Sequence, residues 1–321
     1  MFSSTKHIHF QLSIYMCYGA FKKNNTMAKF NETTLNNWRF PASTTEETKL
    51  SNAERMIKDA IFASDELKSK SIEIFGQGSY ANDTNVKVDS DIDINVCLND
   101  TVFIQIPSEK KQEDFGYSDS EYKFSEYKDA VERALVQKFG RTAVKRNDKC
   151  ITIKENTYRV EADVVPTFKF FRHDENGGKA IGTKFISDSI NPIVNYPLQH
   201  IENGKSKNSL TQKRFKRLTR IFKRLRYKMI EDRVTVNDNI SSFLIECLVW
   251  NVPNRIFNDY STWTERLRES IIYLYNNTKE DKDCKEWGEV SELLYLFHSG
   301  RKWSRKDVND FLIQAWNYLE F

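Results

Sequence analysis

At 321 residues, with 39% hydrophobic and 29% charged side chains, the chain has the make-up of one large globular domain or two closely packed ones, which excludes a disordered or fibrous protein. No run approaches the roughly 18 apolar residues that cross a bilayer, so no membrane span is expected. The net charge of +4 is unevenly spread: residues 205–233 hold twelve Lys or Arg against Glu231 and Asp232, which leaves the remainder acidic and points to a localised anion site.

Five cysteines, Cys17, Cys97, Cys150, Cys247 and Cys284, are odd in number and form no C-x-x-C pair. They favour reduced thiols and a cytoplasmic location over a disulfide framework or zinc site. The apolar run at residues 10–21 is interrupted by Gln11, Ser13 and Tyr15 and lacks a clean small-x-small cleavage site. Residues 1–26 are therefore read as a disordered tail or upstream-start extension, with Met27 opening the domain.

In chain order, residues 44–63 predict a helix, with Leu50, Ala53, Ile57, Ala60 and Ile61 on one face. Residues 71–75 predict a short strand ending in Gly76-Gln77-Gly78-Ser79, a turn whose backbone N–H groups suit phosphate oxygens. Residues 90–98 alternate Asp91, Asp93 and Asn95 with Ile92, Ile94 and Val96, a strand with one acidic and one apolar face. Residues 125–139 predict a second helix, and residues 150–153 and 158–165 a hairpin across Glu155-Asn156-Thr157. Gly177-Gly178 and the prolines at 192 and 197 are read as a long irregular connection. From about residue 210 the pattern turns helical, with helices expected at 210–231, 239–250, 261–275, 287–299 and 304–318.

Carboxylates at i and i+2 of a strand share a face, about 7 Å apart. Crowding them is costly unless a cation neutralises them, and magnesium is held by a few carboxylates, water and substrate phosphates. The alternative is a solvated strand face. The glycine turn just upstream favours a metal platform, as do the eleven residues between Ser79 and Asp91 that let the chain return beside it. So does Asp163, set among β-branched residues where a shared cation would compensate it. Asp89 has the same parity but precedes the apolar alternation, and is read as a loop carboxylate. Tyr80, Tyr196 and Phe243 could stack on a base or simply pack in the core; Trp250, Trp263 and Trp287 read as helix packing.

Gly78-Ser79-Tyr80, Asp89-Ser90-Asp91-Ile92-Asp93-Ile94 and Asp163-Val164-Val165-Pro166 resemble the polymerase-β nucleotidyltransferase superfamily. Within it they are similar to the bacterial cGAS/DncV-like nucleotidyltransferases, the signal-making enzymes of CBASS anti-phage defence. His200-Ile201-Glu202-Asn203-Gly204 and Ser242-Phe243-Leu244-Ile245-Glu246 extend the likeness to about residues 36–253. The resemblance implies an α+β fold, with a polymerase-β-like nucleotidyltransferase core carrying a mixed sheet over residues 27–205 and a helical C-terminal domain over 206–321. It implies nucleoside triphosphate substrates and two Mg2+ ions (Mn2+ as a substitute) held by the catalytic residues Asp91, Asp93 and Asp163. The product it implies is a cyclic di- or trinucleotide, with CBASS effector or regulatory proteins as partners.

The helix expected over residues 210–231 has Lys216, Arg220, Lys223 and Arg224 opposite an apolar stripe. That face could be solvated, a groove for a nucleic-acid activator, or a triphosphate clamp. Similarity to oligoadenylate synthetase-like enzymes implies that Lys223 and Ser242 contact the triphosphate alongside Gly78 and Ser79. The rival readings are a linear oligonucleotide synthetase, an RNA or protein nucleotidyltransferase, and, from another class, an inactive nucleotide- or RNA-binding module.

Overall fold

The alternation that starts at Ile92 fixes a sheet whose two faces have different fates. In a computed structural model describing residues 28–41, 44–86 and 91–321, β1 (Ile72–Gln77) pairs antiparallel with β2 (Ile92–Gln105), and β2 runs parallel to β5 (Ala162–His173). The short strands β3 (Val144–Arg146) and β4 (Ile151–Ile153) complete the order β1-β2-β5-β4-β3. β6 (Lys179–Ile186) pairs with the second half of β5, and β7 (Pro192–Asn195) pairs with β6.

Ile92, Ile94, Val96 and Leu98 of β2 and Ala162, Val164 and Phe168 of β5 point into one core. Two helices cover that face: α2 (Thr44–Ala63) supplies Ala53, Ile57, Ala60 and Ile61, and α4 (Phe124–Phe139) supplies Tyr127, Val131, Ala134 and Leu135. A one-residue slip of β2 would put Asp91 and Asp93 into this core, so the apolar set locks the register that turns the acids outward. Between β1 and β2 lies α3 (Gly78–Ala81). Asp89, Met27, the tail and Cys17 lie outside the described residues.

The division of the chain is into Pro41–Ser206 with Val290–Leu294, which contains the sheet, and a helical unit of Lys207–Glu289 and Tyr295–Phe321 joined by residues 28–40. The helical unit includes α1 (Glu32–Trp38), α6 (Arg214–Glu231), α7 (Ser242–Trp250), α8 (Asn254–Asn258), α9 (Trp263–Asn277), α10 (Asp281–Cys284) and α11 (Arg305–Leu319). Residues 28–40, assigned by sequence to the core, belong here through α1. Its Glu32 carboxylate accepts the N–H groups of Trp263 and Thr264 at 2.7 and 2.9 Å, capping the start of α9.

Four expectations need correction. The expected irregular connection holds β6 and β7: Gly177-Gly178 makes the β5–β6 turn, with Gly178 N–H donating to Asp174 Oδ1 at 2.8 Å. Residues 197–210 form α5 (Pro197–Leu210), with Pro197 at the first helical position, where its missing N–H costs nothing. The helix expected over 210–231 starts only at Arg214, because Gln212 and Lys213 are left-handed at φ 52° and 63°. Residues 287–299 are turns joined by a bridge between Gly288 and Tyr295, with Glu292 at φ 58°, and not a helix. Among the described residues no helix is long and apolar enough to cross a membrane, and Cys97, Cys150, Cys247 and Cys284 form no disulfide.

Candidate active site

Strand pairing carries the acids to one place. Asp93 of β2 stands in register with Asp163 of β5 on one side and with Gln77 of β1 on the other. Asp91 is exposed at the mouth of β2, where Ile92 N–H donates to Glu161 O at 3.1 Å. Glu161, not singled out by the sequence, joins this acidic edge: burial, then Asp91, then Asp163 raise its carboxyl above the usual range.

Gly78 has φ +70°, and a Cβ there would sit 2.1 Å from Asp93 Oδ2. Both the left-handed backbone and the close approach demand glycine, so the turn lies directly on the Asp93 carboxylate. Ser79 follows in α3, and its carbonyl accepts Thr84 N–H at 2.8 Å, closing the turn.

Burial, the Asp163 carboxylate and the Asp91 carboxylate together push Asp93 up to about 7. The crowded carboxylates raise one another, and the site's donors are all oxygens, the chemistry of a hard divalent cation. That donor set fits a metal. Among the described residues no three or more His, Cys, Asp or Glu side chains converge as a finished cage. Behind the acids, on the same face of the sheet, a buried chain of amide and hydroxyl groups stiffens the platform. Thr167 Oγ1 donates to Asn95 Oδ1 at 2.7 Å, and Asn95 Nδ2 donates to Gln77 Oε1 at 3.0 Å.

In the helical unit, Lys223 and Ser242 lie on successive rungs of one seam between α6 and α7. Lys223 Nζ, 1% exposed, meets Glu246 Oε2 at 2.9 Å, and one turn along the Tyr227 and Ser242 hydroxyls are 3.3 Å apart. The Lys223 ammonium thus has a buried partner that sequence reasoning did not assign to it. Neither is the rest of the basic face simply solvated. Arg220 Nε donates to Arg39 O at 2.6 Å, and Arg224 Nη1 donates to Asn37 O and Trp38 O at 3.1 and 2.7 Å, satisfying the last carbonyls of α1.

Known proteins resemble the chain along most of its length. Residues 202–320 match the cGAS/DncV-like nucleotidyltransferase C-terminal helical domain. A cyclic dipyrimidine nucleotide synthase, CdnE, of Cecembia lonarensis is 61% identical over 295 residues, spanning 92% of this chain and all of the relative. The chain belongs to the cGAS/DncV-like nucleotidyltransferases. A second cyclic dipyrimidine nucleotide synthase, from Legionella pneumophila, is 41% identical over 90% of this chain and 98% of the relative. Among solved structures, the Elizabethkingia meningoseptica CdnE cyclic dinucleotide synthase with GTP and Apcpp superposes with a TM-score of 0.78 at 37% identity, covering 91% of this chain and all of that one.

As a cGAS/DncV-like nucleotidyltransferase, the protein is a metal-dependent enzyme of cyclic oligonucleotide synthesis, and its fold is the expected mixed sheet followed by helices. The structure brings together Asp93, Asp163 and Gly78, with Asp91 and Ser79 adjacent in the chain. Of the aromatic candidates, Tyr196 is buried in the sheet unit with its ring 6.3 Å from Phe170, Tyr80 packs against the core, and Phe243 remains exposed beside Trp303.

Proposed function

We propose that the protein joins nucleoside triphosphates into a cyclic dinucleotide with pyrimidine bases, using two Mg2+ ions (Mn2+ as a substitute), in CBASS-type antiviral signalling from the cytoplasm. The observation that carries the chemistry is the in-register pair Asp93–Asp163 with Gly78 pressed on Asp93. The base preference rests on the 61% and 41% identical relatives, both cyclic dipyrimidine nucleotide synthases, whereas the 37% identical relative is a cyclic dipurine nucleotide synthase.

In this reading Asp91, Asp93 and Asp163 would hold the ions, which when bound would neutralise the triphosphate and make the attacking ribose hydroxyl more acidic. That hydroxyl oxygen bonds to the α-phosphorus of a second nucleotide, the bond to pyrophosphate breaks, and Asp163 takes the hydroxyl proton. The same exchange within the linear intermediate closes the ring and releases a second pyrophosphate. The N–H groups of Gly78 and Ser79 orient the phosphates so that attack is in line, and Lys223 and Ser242 are proposed as further phosphate contacts. Partner effector proteins follow from the same reading, and effector genes beside the coding sequence would support it. The test of base choice is pyrophosphate release with each nucleotide alone and in pairs. Release with UTP or CTP and little with ATP or GTP is expected; release confined to purines would overturn the pyrimidine assignment.

A further inference from the structure

Strand β4 lies on the far side of β5 from Asp93, and its register sets Thr152 opposite Asp163. Thr152 Oγ1 donates to Asp163 Oδ1 at 2.5 Å and accepts from Asn147 Nδ2 at 2.7 Å. The direction of these bonds is forced. An amide nitrogen can only donate, and a hydroxyl has one proton, so Asn147 occupies a lone pair of Thr152 and leaves its proton for the carboxylate. A hydrogen bond to a carboxylate is shorter and stronger than a neutral one, and it fixes orientation as well as energy.

Asn147 is itself held. Its backbone N–H donates to Cys150 O at 2.9 Å across the β3–β4 turn, and its side-chain amide also reaches Cys150 Sγ at 3.8 Å. One hydroxyl donor from β4 therefore grips Asp163, and a single asparagine sets its direction. The β4–β5 ladder over Ile151–Ile153 is made by backbone groups and not by these side chains.

We propose that Thr152 is a positioning residue for the nucleotidyl transfer, its hydroxyl directed by Asn147 to fix the Asp163 carboxylate in the orientation that holds the catalytic ion. The proposal rests on the reading of Asp163 as an ion ligand, and the experiment separates the two. Wild type, Thr152→Val, Thr152→Ser and Asp163→Asn are compared as full chains. Melting temperature, Mn2+ binding by electron paramagnetic resonance with a non-hydrolysable nucleoside triphosphate, and steady-state kinetics are measured for each.

Thr152→Val is expected to bind Mn2+ about 10- to 100-fold more weakly and to lose a similar factor in kcat, with KM for nucleotide within about twofold. Thr152→Ser, which keeps the hydroxyl, is expected to recover both to within about threefold at a similar melting temperature. If Asp163→Asn weakens Mn2+ binding while Thr152→Val does not, the positioning role is overturned and the ligand reading stands. A serine variant as impaired as the valine variant overturns the role of the hydroxyl. Should Asp163→Asn bind Mn2+ like wild type, both readings fall together.

Discussion

Asp93→Asn should stabilise the metal-free protein at the same time as it abolishes turnover. In the folded chain the Asp93 carboxyl is raised from 3.8 to about 7 by burial, Asp163 and Asp91. Below about pH 4 the carboxyl is protonated in both folded and unfolded chains, and the site costs nothing. As pH rises towards 7, the unfolded chain releases the proton while the folded one retains it. The stability associated with the protonated site is thus present at low pH and lost as pH rises through about 7. Above that the penalty is at most about 4 kcal/mol, from about 1.4 kcal/mol for each tenfold change in proton affinity. Asparagine keeps the shape and removes the charge. In urea unfolding with EDTA, Asp93→Asn should exceed wild type by about 2–4 kcal/mol at pH 8 and by little at pH 4. Added Mg2+ should stabilise wild type and narrow the gap. An asparagine variant that is less stable than wild type at pH 8 in EDTA, or a gap that does not change with pH, would refute the electrostatic argument.

Three other perturbations test separate parts of the structure. Gly78→Ala places a Cβ on the Asp93 carboxylate in a left-handed backbone, and should cost about 1–3 kcal/mol by urea unfolding and at least about 100-fold in pyrophosphate release. Lys223→Met removes the buried cation that faces the Glu246 carboxylate and should cost about 3–5 kcal/mol, most of it recovered in Lys223→Met/Glu246→Met. If that double variant is stable and still raises KM for nucleotide, the phosphate contact proposed for Lys223 gains support; an unchanged KM removes it. Asp188 accepts from Arg146 and Lys128, Arg146 first, which hold its carboxyl at about 2. Its contribution is complete above about pH 4 and lost as pH falls towards 2, so Asp188→Asn should raise the midpoint pH of acid unfolding.

The acids were legible because strand parity is a strict code. With Ile92, Ile94 and Val96 committed to the core, Asp91 and Asp93 could only face the other way, and Asp163 announced itself by interrupting a β-branched run. Gly78 was legible as a turn residue, but its contact with Asp93 needs the β1–β2 register, which sequence spacing alone does not give. Thr152 and Glu246 were missed for the same reason: each acquires meaning only from the residue that pairing places opposite it. The left-handed residues Gln212, Lys213 and Glu292 are not glycines, so nothing in composition warned of breaks there. Trp287, Val290 and Ser291 are buried at the i, i+3, i+4 spacing of a helical face although their segment folds as turns.

The proposed activity is the making of a closed ring from nucleoside triphosphates at the carboxylate platform. Its most direct test is chromatography and mass spectrometry of the product formed from all four α-labelled nucleotides with Mg2+, before and after phosphatase. A phosphatase-resistant cyclic dinucleotide is expected from wild type and none from Asp93→Ala. A product whose terminal phosphates are stripped by phosphatase, or one still made by Asp93→Ala, would contradict it.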